Sequence, residues 1–217
     1  MKNDRRQAPS GNAFLYILIA VALFAGLIMV LSRTQDATEN DRLTQGQQQA
    51  TAQRILAYVN DAGQAWARMN QMGTDLDDLD LVLPTSGSFN TAPTIHKLFH
   101  PDGGGLLYRD MNEAPFRASA STPVGWSFVL VNADWSATSA TDLIMNYVNI
   151  DAALCAKLNT LIRNDATIPT VTVNFTNTFV NGSTALQESE CADCKIHNSL
   201  CVKNGGVYAF YNALALR

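Results

Sequence analysis

The pattern of apolar and polar positions separates one long apolar run from a mixed remainder. Residues 13–31 carry no charge, and the hydroxyl of Tyr16 is the strongest polar group among them. As a helix rising about 1.5 Å per residue, these nineteen residues match the thickness of a bilayer core. Since lipid offers no partner for free backbone groups, the run predicts a transmembrane helix over residues 12–32. Three basic residues and one acid precede it, which predicts a cytoplasmic N-terminus and an extracytoplasmic remainder.

A second apolar pattern, with helical spacing, follows the membrane-length run. It ends before Gly73, a residue type that commonly terminates helices. Because no proline lies between residues 12 and 72, the sequence predicts an amphipathic helix over residues 33–72 that continues the membrane helix into a head. The alternative is a polar tether over residues 34–49 and a separate helix over residues 50–72. The apolar stripe consists of Ile55, Leu56, Val59, Ala62, Trp66 and Met69, broadened by Tyr58 and Ala65.

The remaining residues, 73–217, predict an α+β head with antiparallel strands, long loops and a disulfide-rich C-terminal region. Strands and helices do not alternate regularly, which excludes a parallel nucleotide-binding sheet. Trp126, Phe128 and Leu130 alternate along one predicted strand and share its core face. The predicted elements are a strand over residues 125–131, a strand or short helix over 143–148, a helix from Asp151 to Arg163 with Leu154, Leu158, Leu161 and Ile162 on one face, a strand over 168–175, a surface loop over 176–190, and a last strand over 207–216 after the Gly205–Gly206 turn.

Charge and composition narrow the classes of partner. The chain has a formal net charge of −4, and without residues 1–32, which hold three basic residues and one acid, the charge is −6. An acidic balance without a basic cluster argues against nucleic acid as a partner. The hydrophobic content of 47% is enough for a folded core rather than a disordered chain.

Four cysteines lie on the predicted outer side of the membrane, where an oxidising environment favours disulfides. A long-range link from Cys155 to the C-terminal region would stabilise the fold most. We favour Cys155–Cys201 with Cys191–Cys194, and the alternative is Cys155–Cys191 with Cys194–Cys201. Cys191, Cys194, His197 and Cys201 also offer a zinc ligand set, but their spacing matches no common zinc knuckle. The C-x-x-C lacks a thioredoxin-like context, so we predict neither a metal site nor a cofactor.

The other polar clusters form no recognisable catalytic arrangement. His96 and His100 would face together on a helix, but the glutamate of the metalloprotease motif is missing. The four aspartates at positions 75–80 predict a solvated acidic turn, because the glycine and distal glutamate of an EF-hand loop are absent. The run Gly103–Gly105 predicts a turn rather than a phosphate cradle, and no nucleophile elbow occurs. The chain is therefore predicted not to be an enzyme.

The junction before the apolar run has a further feature. A short basic leader, residues 1–11, ends in Gly11, and the apolar segment begins directly afterwards. A cleaved secretory signal would instead have a shorter apolar region and a small-x-small exit. The junction resembles the leader of type IV pilins and pseudopilins, which a prepilin peptidase cuts after the glycine. The resemblance implies cleavage between Gly11 and Asn12 and a pilin-like head, in which a small antiparallel sheet packs on the far half of the long helix and a disulfide holds the C-terminal region.

Tyr16 departs from that family, whose members usually carry Glu at the fifth mature position, where it is thought to pair with a neighbouring amine. This departure favours a minor pilin or pseudopilin over a major one. The implied partners are other pilin-like subunits or copies of this chain, the prepilin peptidase and the inner membrane, with the head in the periplasm or outside the cell, in a surface filament or secretion pseudopilus. The alternatives are a plain signal anchor carrying a bitopic envelope protein with an extracytoplasmic binding domain, and a membrane-tethered enzyme. Small residues that allow close helix packing are Ala20, Ala22, Ala25 and Gly26.

Overall fold

A four-stranded antiparallel sheet lies at the centre of residues 45–109 and 126–217, which this computed structural model describes. The strand order across the sheet is β1-β2-β4-β3, so β2 and β4 are central. The predicted α+β class is confirmed. The strands are β1 (Trp126–Val131), β2 (Asp142–Val148), β3 (Ser199–Asn204) and β4 (Val207–Ala215), and the helices are α1 (45–71), α2 (Ala152–Arg163) and α3 (Ala192–Ile196), with a 3-10 turn at Leu76–Asp78 and a π-helix at Thr176–Val180.

Helix α1 buries one stripe against the sheet and ends where the sequence predicts. Gly73 adopts φ +93°, and its N–H donates to the Asn70 carbonyl at 3.0 Å. The Thr74 N–H donates to the Met69 carbonyl at 3.0 Å, so the last carbonyls of α1 are satisfied by a Schellman arrangement. The buried stripe is centred on Ile55, Tyr58, Ala62, Ala65 and Met69, whereas the predicted members Leu56 and Val59 are only half-buried at its border.

The beginning of α1 bears on the two predicted forms of this segment. Gly46 and the glutamines at 47–49 lie within the helix. A flexible tether is therefore wrong for residues 45–49. Residues 12–44, over which a continuous helix would reach the membrane, lie outside the described residues.

Strand β2 is buried along its whole length, because both faces of the sheet are covered. Leu143, Met145 and Tyr147 face the cluster that contains the buried stripe of α1. Ile144 and Val148 face a second cluster on the opposite side. This second cover was not anticipated from the sequence, which predicted one core face only.

Strand β1 shows the same two-sided burial. Trp126 is buried, and Phe128 and Leu130 pack against the α1-side cluster, as predicted. Val129 and Val131 are also buried, but in the opposite cluster. β1 pairs with β2 from Trp126–Tyr147 to Val131–Asp142.

Helix α2 begins and ends as predicted. The Asp151 carboxylate accepts from the N–H groups of Ala153 and Leu154, at 2.9 and 3.2 Å, which is an N-cap. Asn164 ends the helix in the left-handed conformation at φ 59°. The prediction that Leu161 lies on the apolar face of α2 is wrong, because this residue is 38% exposed and does not belong to the buried stripe.

The segment before β3 differs most from its prediction. Residues 168–175 form no strand, and one isolated bridge joins Thr170 to Lys203. Val171, Val173 and Phe175 are buried in alternation, as predicted. The Val171 N–H donates to the Lys203 carbonyl at 2.8 Å and the Lys203 N–H to the Pro169 carbonyl at 2.9 Å, but β3 ends at Asn204, one residue later, so the ladder stops there.

The prediction of a surface loop over residues 176–190 is wrong at two places. Residues Thr176–Val180 form a π-helix, and Leu186 is fully buried. The π-helix places the side chains of Thr178 and Phe179 in the core, fully buried. The Phe179 ring lies parallel to the rings of Phe175 and Tyr211, with centroids 5.5 and 5.8 Å away. These residues form the second cover of the sheet, which is why they cannot be a solvated loop. The final hairpin, with Gly205–Gly206 between β3 and β4, contains the predicted last strand, whereas β3 was not assigned from the sequence.

Lys97 is a buried cation whose partners are backbone carbonyls. Its side chain is 3% exposed. The ammonium group donates to the carbonyls of Ser88, Phe89 and Thr91, at 2.6, 2.9 and 2.5 Å. Three hydrogen bonds from a charged donor fix the loop that precedes it.

Replacing Lys97 by Met should lower the free energy of unfolding by about 3 kcal/mol, because three backbone carbonyls lose a charged donor that is itself buried. Urea unfolding of the full-length chain in a nonionic detergent, followed by circular dichroism, measures this. Lys195→Met is the matched control, since Lys195 is half-exposed and pairs with Glu188 at the surface, and we expect little change. Equal stability of the Lys97→Met and Lys195→Met proteins would contradict the structural role of Lys97.

Candidate functional site

The membrane-related sites predicted from the sequence lie outside the described residues. Within the described ranges, no helix combines the length and apolarity that a membrane span requires. The predicted run at 13–31 is not part of those ranges. The processing site and helix-packing residues that also fall outside them are Gly11, Asn12, Ala20, Ala22, Ala25 and Gly26.

The four cysteines form two disulfides, one on each side of the sheet. Cys155–Cys201 joins α2 to β3, and Cys191–Cys194 closes the start of α3. This is the pairing favoured from the sequence. The first bond spans 46 residues and is expected to stabilise the fold by about 4 kcal/mol in the chain-entropy model.

The pairing separates the ligands of the alternative zinc site. Cys201 belongs to the cluster on the α1 side, and Cys191 and Cys194 belong to the opposite cluster. Among the described residues, no group of three or more His, Cys, Asp or Glu side chains is arranged to hold a metal ion.

The two histidines at 96 and 100 do not form a joint site. Their segment forms turns rather than a helix, so the predicted i, i+4 alignment is wrong. His96 Nδ1 lies 3.1 Å from the Thr74 hydroxyl. His100 Nδ1 accepts from the Asp102 N–H at 3.2 Å. Each histidine therefore serves a separate local contact.

The acidic turn after α1 is exposed, but it is not only solvated. Arg217 forms ion pairs with the carboxylates of Asp75, at 3.0 Å, and Asp77. Asp80 accepts from the Val82 N–H at 2.8 Å. The predicted solvated turn thus also links α1 to Arg217.

Arg217 is held through its backbone as well. Its N–H donates to Asp142 at 2.9 Å, and the fully buried Asp142 carboxylate also accepts from the Ala133 N–H at 2.8 Å. The Arg217 Nε donates to the Thr141 carbonyl at 2.9 Å. Two backbone donors therefore satisfy a carboxylate that would otherwise be costly to bury.

A cleft of about 240 Å³ opens beside α1. One of its walls is a single face of α1, because the α1 residues that line it follow one another at spacings of three, three and four. The other wall is the segment that follows the glycine run. The lining residues are Tyr58, Asp61, Gln64 and Arg68 of α1, and Gly105, Leu106, Leu107 and Arg109.

The glycine run brings the second wall close to α1. A Cβ at Gly104 would lie 2.4 Å from the Leu98 carbonyl oxygen, and a Cβ at Gly103 would lie 2.3 Å from the Lys97 carbonyl oxygen. Glycine is therefore required at both positions for this close approach. The predicted turn is confirmed, and its consequence is that the Gly104 carbonyl reaches Arg68.

Two arginines and one aspartate determine the charge of the cleft. Arg68 Nη2 donates to the Gly104 carbonyl at 2.5 Å. The Arg109 guanidinium lies over the Tyr58 ring, 5.4 Å from its centroid, and 3.7 Å from the Asp61 carboxylate. The lining residues therefore carry a net positive charge of about one on a chain that is acidic overall.

The guanidinium groups of the cleft suit the binding of an anion. They present several N–H donors in a fixed plane, which matches planar anions such as carboxylates. Among the described lining residues there is no Ser, Cys or His.

Comparison of the chain with protein-family profiles, curated proteins and solved structures finds no match.

The cleft was not predicted from the sequence. Asp61, Gln64 and Arg68 share one polar face of the predicted helix, and this was the available signal. Arg109 and Leu107 come from a distant segment, and their position depends on the glycine run packing on α1.

Replacing Tyr58 by Phe should make the chain more resistant to alkaline unfolding. Burial raises the pKa of Tyr58 to about 12, against the opposing effect of Arg109. An unfolded tyrosine ionises near pH 10, so the native state binds this proton more tightly and stability falls as the pH rises from about 10 to 12. This loss, up to about 1.4 kcal/mol per pH unit for the group, is absent in the Phe variant.

The measurement is urea unfolding of the full-length chain at pH 8 and at several values between 10 and 11.5. Among the described residues, the Tyr58 hydroxyl makes no hydrogen bond of good geometry, although the Arg109 backbone lies near enough to lower its pKa, so Tyr58→Phe should change stability little at pH 8. Tyr211→Phe gives the contrast at pH 8, because the Tyr211 hydroxyl donates to the His197 carbonyl at 2.5 Å and its loss should destabilise there. Burial raises the pKa of Tyr211 as well, so this variant is compared at pH 8 only. The same pH dependence in wild type and Tyr58→Phe would disprove the assignment.

Proposed function

We propose that this chain is a pilin-like subunit, held in the inner membrane by residues 12–32 and incorporated at low abundance into a surface filament or secretion pseudopilus. The observation that carries the proposal is the junction at Gly11, where a basic leader meets a membrane-length apolar run without a spacer. The proposal assigns no catalytic reaction to the chain.

The use of α1 in the fold supports this proposal. Its apolar stripe is buried against an antiparallel sheet, and its opposite face is exposed. Along one row of this face, Gln53, Asn60 and Ala67 are uncharged, whereas Arg54, Asp61 and Arg68 lie on the remainder of the exposed face. A neighbouring helix can pack along the uncharged row without burying a charge.

The disulfides support an extracytoplasmic head. All four cysteines are paired, and disulfides persist in oxidising compartments. Cys155–Cys201 fastens the C-terminal hairpin to α2. The bond therefore stabilises the head against unfolding outside the cytoplasm.

A bitopic envelope protein with a binding head is the second candidate. The observation that favours it is the cleft between α1 and residues 105–109, with Arg68 and Arg109 in its walls. In this case, the membrane helix would serve as an anchor only, and the chain would not assemble.

The first test concerns processing. In cells that contain a prepilin peptidase, the mature chain should begin at Asn12, because the enzyme cuts after the glycine of such a junction. Intact mass measurement of the purified protein, with and without the peptidase, determines the N-terminus. Gly11→Val should block the cut and is the control. A chain that keeps residues 1–11 in its native cell would leave the anchored binding protein as the better proposal.

The second test concerns assembly through the membrane helix. Gly26→Leu should exclude the chain from sheared filaments and leave membrane insertion intact, because hydrophobicity rises while close helix approach is lost. Gly26→Ala keeps a small side chain and should still assemble. Tyr16→Glu should increase incorporation, since it restores a carboxylate for the neighbouring amine. Immunoblots of sheared and membrane fractions measure all three, and absence of the wild-type chain from sheared filaments would contradict the proposal.

A further inference from the structure

We propose that the cleft beside α1 is a binding site for a carboxylate group carried on a short aliphatic chain. The proposal does not depend on filament assembly. It rests on the charges, the orientation and the apolar border of the cleft, each of which is determined by described residues.

Arg68 has unused capacity for an anion. Among the described residues, Arg68 donates to the Gly104 carbonyl, and no carboxylate lies within ion-pair distance of it. Arg163 and Arg217, in contrast, are paired with aspartates. A guanidinium has five N–H donors, so one bond to a carbonyl leaves donors for a planar anion.

Arg109 is neutralised only in part. Its Nη2 lies 3.7 Å from Asp61, which is longer than a direct hydrogen bond, and the two side chains are 41 and 50% exposed. With Arg68 included, the cleft has one positive charge in excess. A monoanion balances this excess, whereas a doubly charged phosphate would also meet repulsion from Asp61.

Both guanidinium groups are already oriented before a ligand binds. The Gly104 carbonyl holds Arg68, and the Tyr58 ring lies under Arg109. Oriented side chains lose less conformational entropy when a ligand arrives, which favours binding.

The border of the cleft is apolar on one side. Leu107 is 72% exposed and lines the cleft beside Leu106. An aliphatic group attached to the carboxylate would cover this exposed surface and gain hydrophobic free energy. The ligand class is therefore an aliphatic carboxylate, either a free short-chain acid or an acidic side chain beside an aliphatic one in a peptide.

The test is a binding titration with the full-length chain in a nonionic detergent, followed by calorimetry. Five probes are used: isovalerate, its neutral analogue isovaleramide, acetate, inorganic phosphate, and the capped peptide acetyl-Ala-Leu-Glu-Leu-Ala-amide. We expect isovalerate to bind, the amide not to bind, and the affinity to fall with added salt. Tighter binding of the peptide identifies a peptide ligand, and tighter binding of isovalerate identifies a free acid.

Three variants and one control locate the site. Arg68→Gln should weaken binding about tenfold, and Asp61→Asn should strengthen it severalfold, roughly as expected for charged hydrogen bonds and for removal of a repulsive charge. Leu107→Ser should weaken the binding of isovalerate but leave the binding of acetate unchanged, because acetate has no aliphatic chain to contact Leu107. Arg54→Gln is the control, because Arg54 is exposed on the same helix but does not line the cleft.

Several results would overturn the proposal. They are equal binding of acid and amide, tighter binding of inorganic phosphate than of isovalerate, weaker binding in Asp61→Asn, the same loss in Arg54→Gln as in Arg68→Gln, or no binding of any carboxylate. Asp61→Asn keeps the test independent of any folding defect in Arg68→Gln, because Asp61 is half-exposed and its replacement should preserve the fold.

Discussion

Burial of the central strands on both faces is the constraint on which the rest of the head depends. Every residue of β2 is buried, so its side chains need an apolar cover above and below the sheet. Helices α1 and α2 provide one cover, and the segment from Val171 to Cys194 provides most of the other. Each disulfide strengthens one side, since Cys155–Cys201 fastens α2 to the sheet and Cys191–Cys194 lies in the opposite cluster.

A sheet enclosed in this way must also satisfy its edge and its buried polar groups. The Asn159 amide donates to the Cys201 carbonyl and accepts from the Cys201 N–H, both at 2.8 Å, and so replaces a neighbouring strand along the edge of β3. Lys97 and Asp142 are buried charges that bind backbone groups rather than opposite charges. Loss of one partner in any of these contacts would leave a polar group without its hydrogen bond.

The sequence predicted the features that local chemistry determines. Asp151 as an N-cap, Gly73 as a helix end and the Gly205–Gly206 turn each follow from a preference of that residue type for its position. The alternation of residues 168–175 was recognised, but not their failure to form a strand, because their partner strand β3 lies about thirty residues further on and ends at Asn204, just after the bridge to Lys203. The cleft was not predicted either, because its two walls are distant in sequence. Arg109 comes within 3.7 Å of Asp61 only when the glycine run has packed on α1.

The two faces of the sheet are covered by the core and are not free for contacts. The longest regular surface among the described residues is therefore the exposed face of α1, which is longer than α2. The residues of α1 that line the cleft occupy one flank of its exposed face. Gln53, Asn60 and Ala67 are exposed at spacings of seven residues and so form a separate row beside that flank. Gln64, which lines the cleft, borders this row, whereas Arg68 and Leu107 do not belong to it. The uncharged row and the charged cleft are therefore adjacent surfaces of one helix, with different side chains in each.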